Sequence, residues 1–202
     1  MPALSGRTLD VGCGEGRLAR DLAVLGPTLW ASTLPRRCGG GTGRGSGDGA
    51  APLRRGSAAV SGRFIRLVVA FMSFQDVDDL PGAVREVARV LAPGGRLCLA
   101  IVHPLSSAGS FESHTATSRF VIEGSYLEDS LTDATFERDG LAMRFVSRHR
   151  PLQAYTNELA ANGPLIERLR EPKLPEGGFN DEHSPRWTRI PLFLHLRAVK
   201  PG

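Results

Sequence analysis

The chain has 202 residues, 41% of them hydrophobic and 23% charged, with a formal net charge of +4. That length suits one domain, residues 1–202, with a full core, and no apolar run is long enough to span a bilayer. The basic excess does not make nucleic acid an expected partner, because residues 36–63 hold six arginines and one acid, Asp48, and the rest of the chain carries −1.

The opening Met1-Pro2-Ala3-Leu4-Ser5 has no signal-peptide pattern. Cys13, Cys38 and Cys98 show neither metal-ligand spacing nor a disulfide framework. A reducing cytoplasm is therefore the expected setting, with no metal and no membrane.

In chain order, the first element is the most informative. Residues 9–18 read Leu9-Asp10-Val11-Gly12-Cys13-Gly14-Glu15-Gly16-Arg17-Leu18. A short apolar strand carrying an acid runs into a glycine-rich turn and then a helix, the arrangement that lets backbone approach a nucleotide-like ligand. The spacing is Gly-x-Gly-x-Gly; a dinucleotide fingerprint needs a further glycine where Arg17 stands.

Residues 17–25 predict a helix with Leu18, Leu22 and Leu25 on one face. Residues 35–63 show no hydrophobic period and too little apolar side chain for a helix or buried strand. Residues 67–72 form a continuous apolar run, expected to be a strand buried on both faces. A helix over 80–91 carries Leu80, Ala83, Val84, Val87 and Leu91 as its stripe and stops at Pro93-Gly94-Gly95. Residues 97–102 are a second buried strand, ending at His103-Pro104.

Residues 105–150 read as a lid-like insertion with short strands at 120–122 and 143–146, either a peripheral cover or a substrate cap. A helix is expected over 151–161, with Leu152, Tyr155 and Leu159 inward. Residues 165–169 and 190–199 read as a closing strand pair, joined by a flap-length link containing Trp187. Strand, helix, strand, helix, strand is the pattern of a doubly wound α/β domain, a mostly parallel sheet with an antiparallel last strand.

The motif Asp10-x-Gly12-x-Gly14-x-Gly16 after a strand resembles the first motif of class I S-adenosylmethionine (SAM) methyltransferases. Ser73-Phe74-Gln75-Asp76-Val77-Asp78-Asp79 resembles the loop after that family's fourth strand. The stretch from Arg85-Glu86-Val87 to Pro93-Gly94-Gly95-Arg96-Leu97 resembles its helix and Pro-Gly-Gly turn before the fifth strand. The resemblance is nearest to the type 11 small-molecule enzymes and covers residues 6–34 and 64–202.

It implies a Rossmann-like methyltransferase fold, SAM as cofactor and a small-molecule methyl acceptor. It also implies that Asp10 orients the methionine end of the cofactor while Gly12, Cys13, Gly14 and Gly16 line it. Phe71 and Gln75 would lie along the methionine moiety or the acceptor. His103, at a strand's carboxyl end, is the catalytic candidate as proton acceptor, or else a strand-end cap before Pro104. Tyr126, His149 and Trp187 are further acceptor-side candidates. Glu15 reads as an exposed turn acid and His195 as a strand-face residue. No dedicated nucleophile is required, because the sulfonium already activates the methyl group.

Residues 35–63 depart from the family, which places there a ribose-binding acid, a helix and a third strand. One reading is a frameshift. Bases straddling Trp30-Ala31 spell glycine in the shifted frame. With a TCN codon for Ser32, Ala31-Ser32 then gives Ile, Val, Leu or Phe, and Ser32-Thr33 one of Asp, Asn, His or Tyr. The others are a disordered Gly/Arg loop and an RNA-binding segment, the last lacking interleaved aromatics. Two further functional readings stay open: a degenerate, non-catalytic member of the fold, and an NAD-dependent oxidoreductase. The second is opposed by Arg17 and by the lack of a Tyr/Lys catalytic pair. The oligomeric state is not legible.

Overall fold

The computed structural model describes residues 7–14, 16–24, 28–32, 65–138, 141–174 and 185–202. Its centre is a six-stranded sheet. Four strands are parallel: β1 (Arg7–Val11), β2 (Thr28–Ser32), β3 (Ile65–Phe71) and β4 (Leu91–Val102). β10 (Phe193–Val199) pairs antiparallel with β4 and with β9 (Leu165–Arg170), so the edge strand β9 runs in the same direction as the first four, in the order β2-β1-β3-β4-β10-β9. The mostly parallel sheet with one antiparallel strand, the last in the chain, is the expected class. β2 was not among the predicted elements; it pairs with β1 from Arg7↔Thr28 to Val11↔Ser32. The irregular segment 35–63 lies outside the described residues.

The helices are α1 (Arg17–Ala23), α2 (Leu80–Val90), α3 (Pro104–Ser107) and α4 (Leu152–Asn162). Asp79 caps α2 by accepting the Gly82 N–H at 2.8 Å. The stripe Leu80, Val84, Val87 then buries against Val68, Ala70, Leu97, Leu99 and Ile101 of the sheet. Tyr155 and Leu159 of α4 join the same core, and α4 packs against α2.

The predicted double-sided burial of the 67–72 run is corrected here. In β3 Val68 and Ala70 are fully buried, but Leu67 and Val69 are only half-buried and Phe71 is 54% exposed. Among the described residues, the α-helical part of the core cluster comes from α2 and α4.

The Pro-Gly-Gly turn also differs from expectation. Rather than preceding the strand, it lies inside β4, where the register against β3 jumps from Ile65↔Leu91 to Leu67↔Arg96. A Cβ on Gly95 would meet the Ala92 and Ile65 carbonyl oxygens at 2.7 and 2.9 Å, so only glycine fits. Lys200 Nζ donates to the Ala88 and Leu91 carbonyls at 2.6 and 3.0 Å, satisfying the exposed end of α2.

The insertion holds two antiparallel hairpins. The first is β5 (Gly109–Phe111) with β6 (Phe120–Ile122); the second is β7 (Ser130–Arg138) with β8 (Leu141–His149). The 120–122 strand stands as expected, and the 143–146 segment is the middle of the much longer β8. β7 went unread because Ser130–Asp133 are exposed on both faces, leaving no apolar alternation to detect. No helix of the described residues is long and apolar enough to cross a membrane.

Candidate active site

The sequence after β1 turns sharply. Gly12, Gly14 and Gly16 all take positive φ, at 74°, 53° and 78°. A side chain in that region costs roughly 1–2 kcal/mol per residue, which accounts for the alternating glycines. The Gly16 N–H donates to the Cys13 carbonyl at 2.8 Å, closing the turn, and Arg20 N–H then donates to Gly16 O at 3.0 Å as α1 begins.

A cleft of about 440 Å³ opens beside this turn, at the carboxyl ends of β1 and β3. The chain leaves β1 for β2 on one side and reaches β3 on the other, the switch point at which open α/β sheets bind ligands. Asp10, Gly12, Cys13 and Gly14 form one wall, Arg17, Leu18 and Asp21 of α1 a second, and Phe71 and Met72 a third.

Asp10 is the electrostatic centre. It is 1% exposed, and its Oδ2 has no hydrogen-bond partner among the described residues. Burial pushes its pKa up from 3.8 to about 6. A buried carboxylate oxygen without a partner is costly, and the residue that carries it lines a cleft.

The opposite wall is anchored to β1 and β4. Met72 has φ 51°, a left-handed conformation uncommon for a side chain of its size. It is held by its N–H donating to Ala100 O at 2.8 Å. The next residue, Ser73, donates its Oγ–H to Val11 O at 2.7 Å, stitching this wall to β1.

Asp10, Gly12, Cys13, Gly14 and Phe71 of the sequence-predicted set line the cleft, and Gly16 closes its turn. Gln75 does not line it. Its Oε1 instead accepts the Val102 N–H at 2.8 Å, tying the loop after β3 to the end of β4. Glu15 lies outside the described residues. Sequence reasoning missed Arg17 and Asp21 as lining groups, although their i, i+4 spacing places both on one helix face. Met72 had no sequence signal.

His103 is buried with both ring nitrogens engaged. Nδ1 accepts the Leu105 N–H at 3.0 Å, so Nε2 carries the proton and meets Glu171 Oε1 at 3.0 Å. Burial lowers its pKa, against the opposing pull of Glu171. The geometry is that of the strand-end cap: no lone pair is left to take an acceptor's proton. His103 is expected to stay neutral through pH 7 and to titrate below the ordinary histidine value in an NMR titration. The stability this contributes is present above about pH 6.5 and is lost as pH falls through the lowered value. A His103 titrating above about 6.5 contradicts the capping geometry.

The other candidates do not converge on the cleft. His149 Nδ1 meets Ser107 Oγ at 2.8 Å and its Nε2 meets Tyr126 O at 2.9 Å. Tyr126 Oη accepts the Leu152 N–H at 3.2 Å. Trp187 packs edge-on against Phe111 at 5.0 Å between centroids. His195 is exposed on β10, opposite Ala100 and Arg170, as its strand-face reading implied.

Comparison with known families gives a match between residues 2–151 and the model of a methyltransferase domain. The chain belongs to this methyltransferase-domain family. Among solved structures, the methyltransferase is similar to a candidate SAM-dependent methyltransferase from Listeria monocytogenes. The TM-score is 0.76 at 18% identity, over 100% of this chain and 93% of that one. It is also similar to a SAM-dependent methyltransferase from Mesorhizobium loti, with TM-score 0.69 at 21% identity over 99% and 94%. A third is the glycopeptide N-methyltransferase MtfA complexed with S-adenosyl-L-homocysteine (SAH), with TM-score 0.61 at 19% identity over 98% and 82%. At these identities the likeness carries the fold of the methyltransferase. No curated protein matches it.

Proposed function

We propose that this methyltransferase transfers the methyl group of SAM to a small-molecule acceptor, with the cofactor's amino-acid end in the β1–β3 cleft. The observation that carries the reading is Asp10, which lines that cleft and whose buried Oδ2 has no partner among the described residues. Such an oxygen fits a ligand bearing an ammonium or hydroxyl donor. The left-handed glycines beside it leave backbone uncovered, so a ligand can come close.

When bound, SAM supplies a methyl group already activated by its sulfonium, so the protein's task is alignment and exclusion of water. Asp10 would accept hydrogen bonds from the cofactor's polar end, and Gly12, Cys13, Gly14 and Gly16 would shape the turn around it. Phe71 and Met72 give an apolar wall. A small acceptor is supported by the insertion, which leaves the carboxyl end of β4 and returns to it. His149 of β8 meets Ser107 of α3, so the second hairpin is tied to the helix that follows β4.

Isothermal titration with SAH tests the reading. One SAH per chain is expected, and NAD is not expected to displace it. Folded protein that takes up no SAH sinks the proposal. One observation favours a second reading, the non-catalytic relative. No Asp or Glu occurs between Asp21 and Asp48, so the sequence following β2 offers no acid for a ribose. SAH binding without label transfer from methyl-labelled SAM into a pool of small metabolites would favour that reading.

A further inference from the structure

Arg150, directly after β8, is an arginine only 5% exposed. Its guanidinium reaches across to the segment after β3 and donates to four backbone carbonyls there. Nη1 meets Phe74 O and Gln75 O at 3.4 Å each, and Nη2 meets Val77 O at 2.5 Å and Asp78 O at 3.2 Å. Asp129 Oδ2 stands 3.5 Å from its Nε, holding the guanidinium from the lid side. The cation thus satisfies backbone acceptors that burial would otherwise strand.

The segment it grips is the continuation of the cleft wall. Phe71 and Met72 line the cleft, Ser73 is bonded to Val11 of β1, and Gln75 is bonded to Val102 of β4. The left-handed Met72 stands between the β3 strand and the Arg150-bound turn. A non-glycine residue holds such a conformation only where its surroundings determine it on both sides.

We propose that Arg150 is a positioning residue for the cofactor. By clamping residues 74–78 it holds the Phe71–Met72 wall in its binding position, so the docked state of the β7–β8 hairpin and cofactor affinity rise and fall together. Arg150 itself touches nothing in the cleft; it acts through the backbone it binds. The inference rests on the cleft being the SAM site proposed above.

Two measurements decide it. In hydrogen exchange on the intact wild-type protein, saturating SAH is expected to slow exchange at residues 74–78 as well as at the wall. Unchanged exchange at 74–78 while 71–72 become protected overturns the proposal. In the second, Arg150→Lys keeps the charge but cannot reach four carbonyls at once. It is expected to raise the SAH dissociation constant about tenfold at a temperature well below its melting transition. A variant that melts lower yet binds SAH within about twofold of wild type shows a merely structural arginine and overturns the proposal. Wild-type protein that binds no SAH strikes the reading of the cleft itself, and the role of Arg150 with it.

Discussion

Replacing Asp10 with asparagine is expected to weaken SAH binding by about ten- to hundredfold while making the unliganded protein more stable. The first effect follows from losing a charged acceptor worth about 1.5–3 kcal/mol to a bound donor. The second follows from burial. The native carboxyl keeps its proton up to about pH 6, whereas in the unfolded chain it loses it near 3.8. The native state therefore holds the extra proton between those values, and wild-type stability falls as pH rises from about 4 to about 6. Above that it is level, with a penalty of about 3 kcal/mol relative to the acid side. The uncharged amide of the D10N variant carries no such penalty. Melting curves of the two proteins from about pH 4 to 8 should therefore diverge through this window, with D10N higher at neutral pH. Cofactor affinity should show the mirror image. A ligand donor prefers the ionised carboxylate, so SAH should bind wild type more tightly as pH rises through about 6 and show no such step with D10N. Parallel melting profiles would mean that the Asp10 carboxylate is not buried unpaired in solution.

Two aromatics three positions apart should separate folding from binding. Phe74 is 0% exposed and lies in the core cluster with Leu80 and Ile101, while Phe71 is 54% exposed at the cleft. Phe74→Ala empties a filled site and should cost about 3–5 kcal/mol in urea unfolding. A domain of ordinary stability has only about 5–15 kcal/mol in total, so much of the protein's margin is lost. Phe71→Ala should change stability by no more than about 0.5–1 kcal/mol, since no packed core surrounds it. Its effect should fall on SAH affinity, through loss of the apolar wall. A large stability loss from Phe71→Ala, or a small one from Phe74→Ala, would reverse the assignment of these two faces.

The helix and strand at 80–102 were legible because their apolar spacing matches one period each. Leu80, Val84 and Val87 are buried on α2, and Leu97, Leu99 and Ile101 on β4. The alternation of Leu194 and Leu196 with His195 marked β10 in the same way. β7 was not legible, for the opposite reason: its exposed residues carry no inward face, and its pairing with β8 is a matter of partner rather than pattern. Arg150 read as one more charge near a helix start, and nothing local announces that it binds a turn more than seventy positions earlier.

The candidate cofactor half of the site was legible in residues 9–18. A positive φ is a local property that glycine alone adopts freely, and an acid at a strand's end needs no distant partner to mark the spot. By itself, then, the amino-acid order determined the turn, the helix and sheet pattern, and the family resemblance. The fate of the polar side chains was decided only on folding. Gln75 went to a backbone amide of β4, His103 to Leu105 and Glu171, and Arg150 to the backbone of the turn after β3, while the buried Oδ2 of Asp10 found no partner among the described residues. Those pairings join groups far apart along the chain. Hydrogen bonds act over about 3 Å, and which groups come that close is set by the packing of the whole sheet.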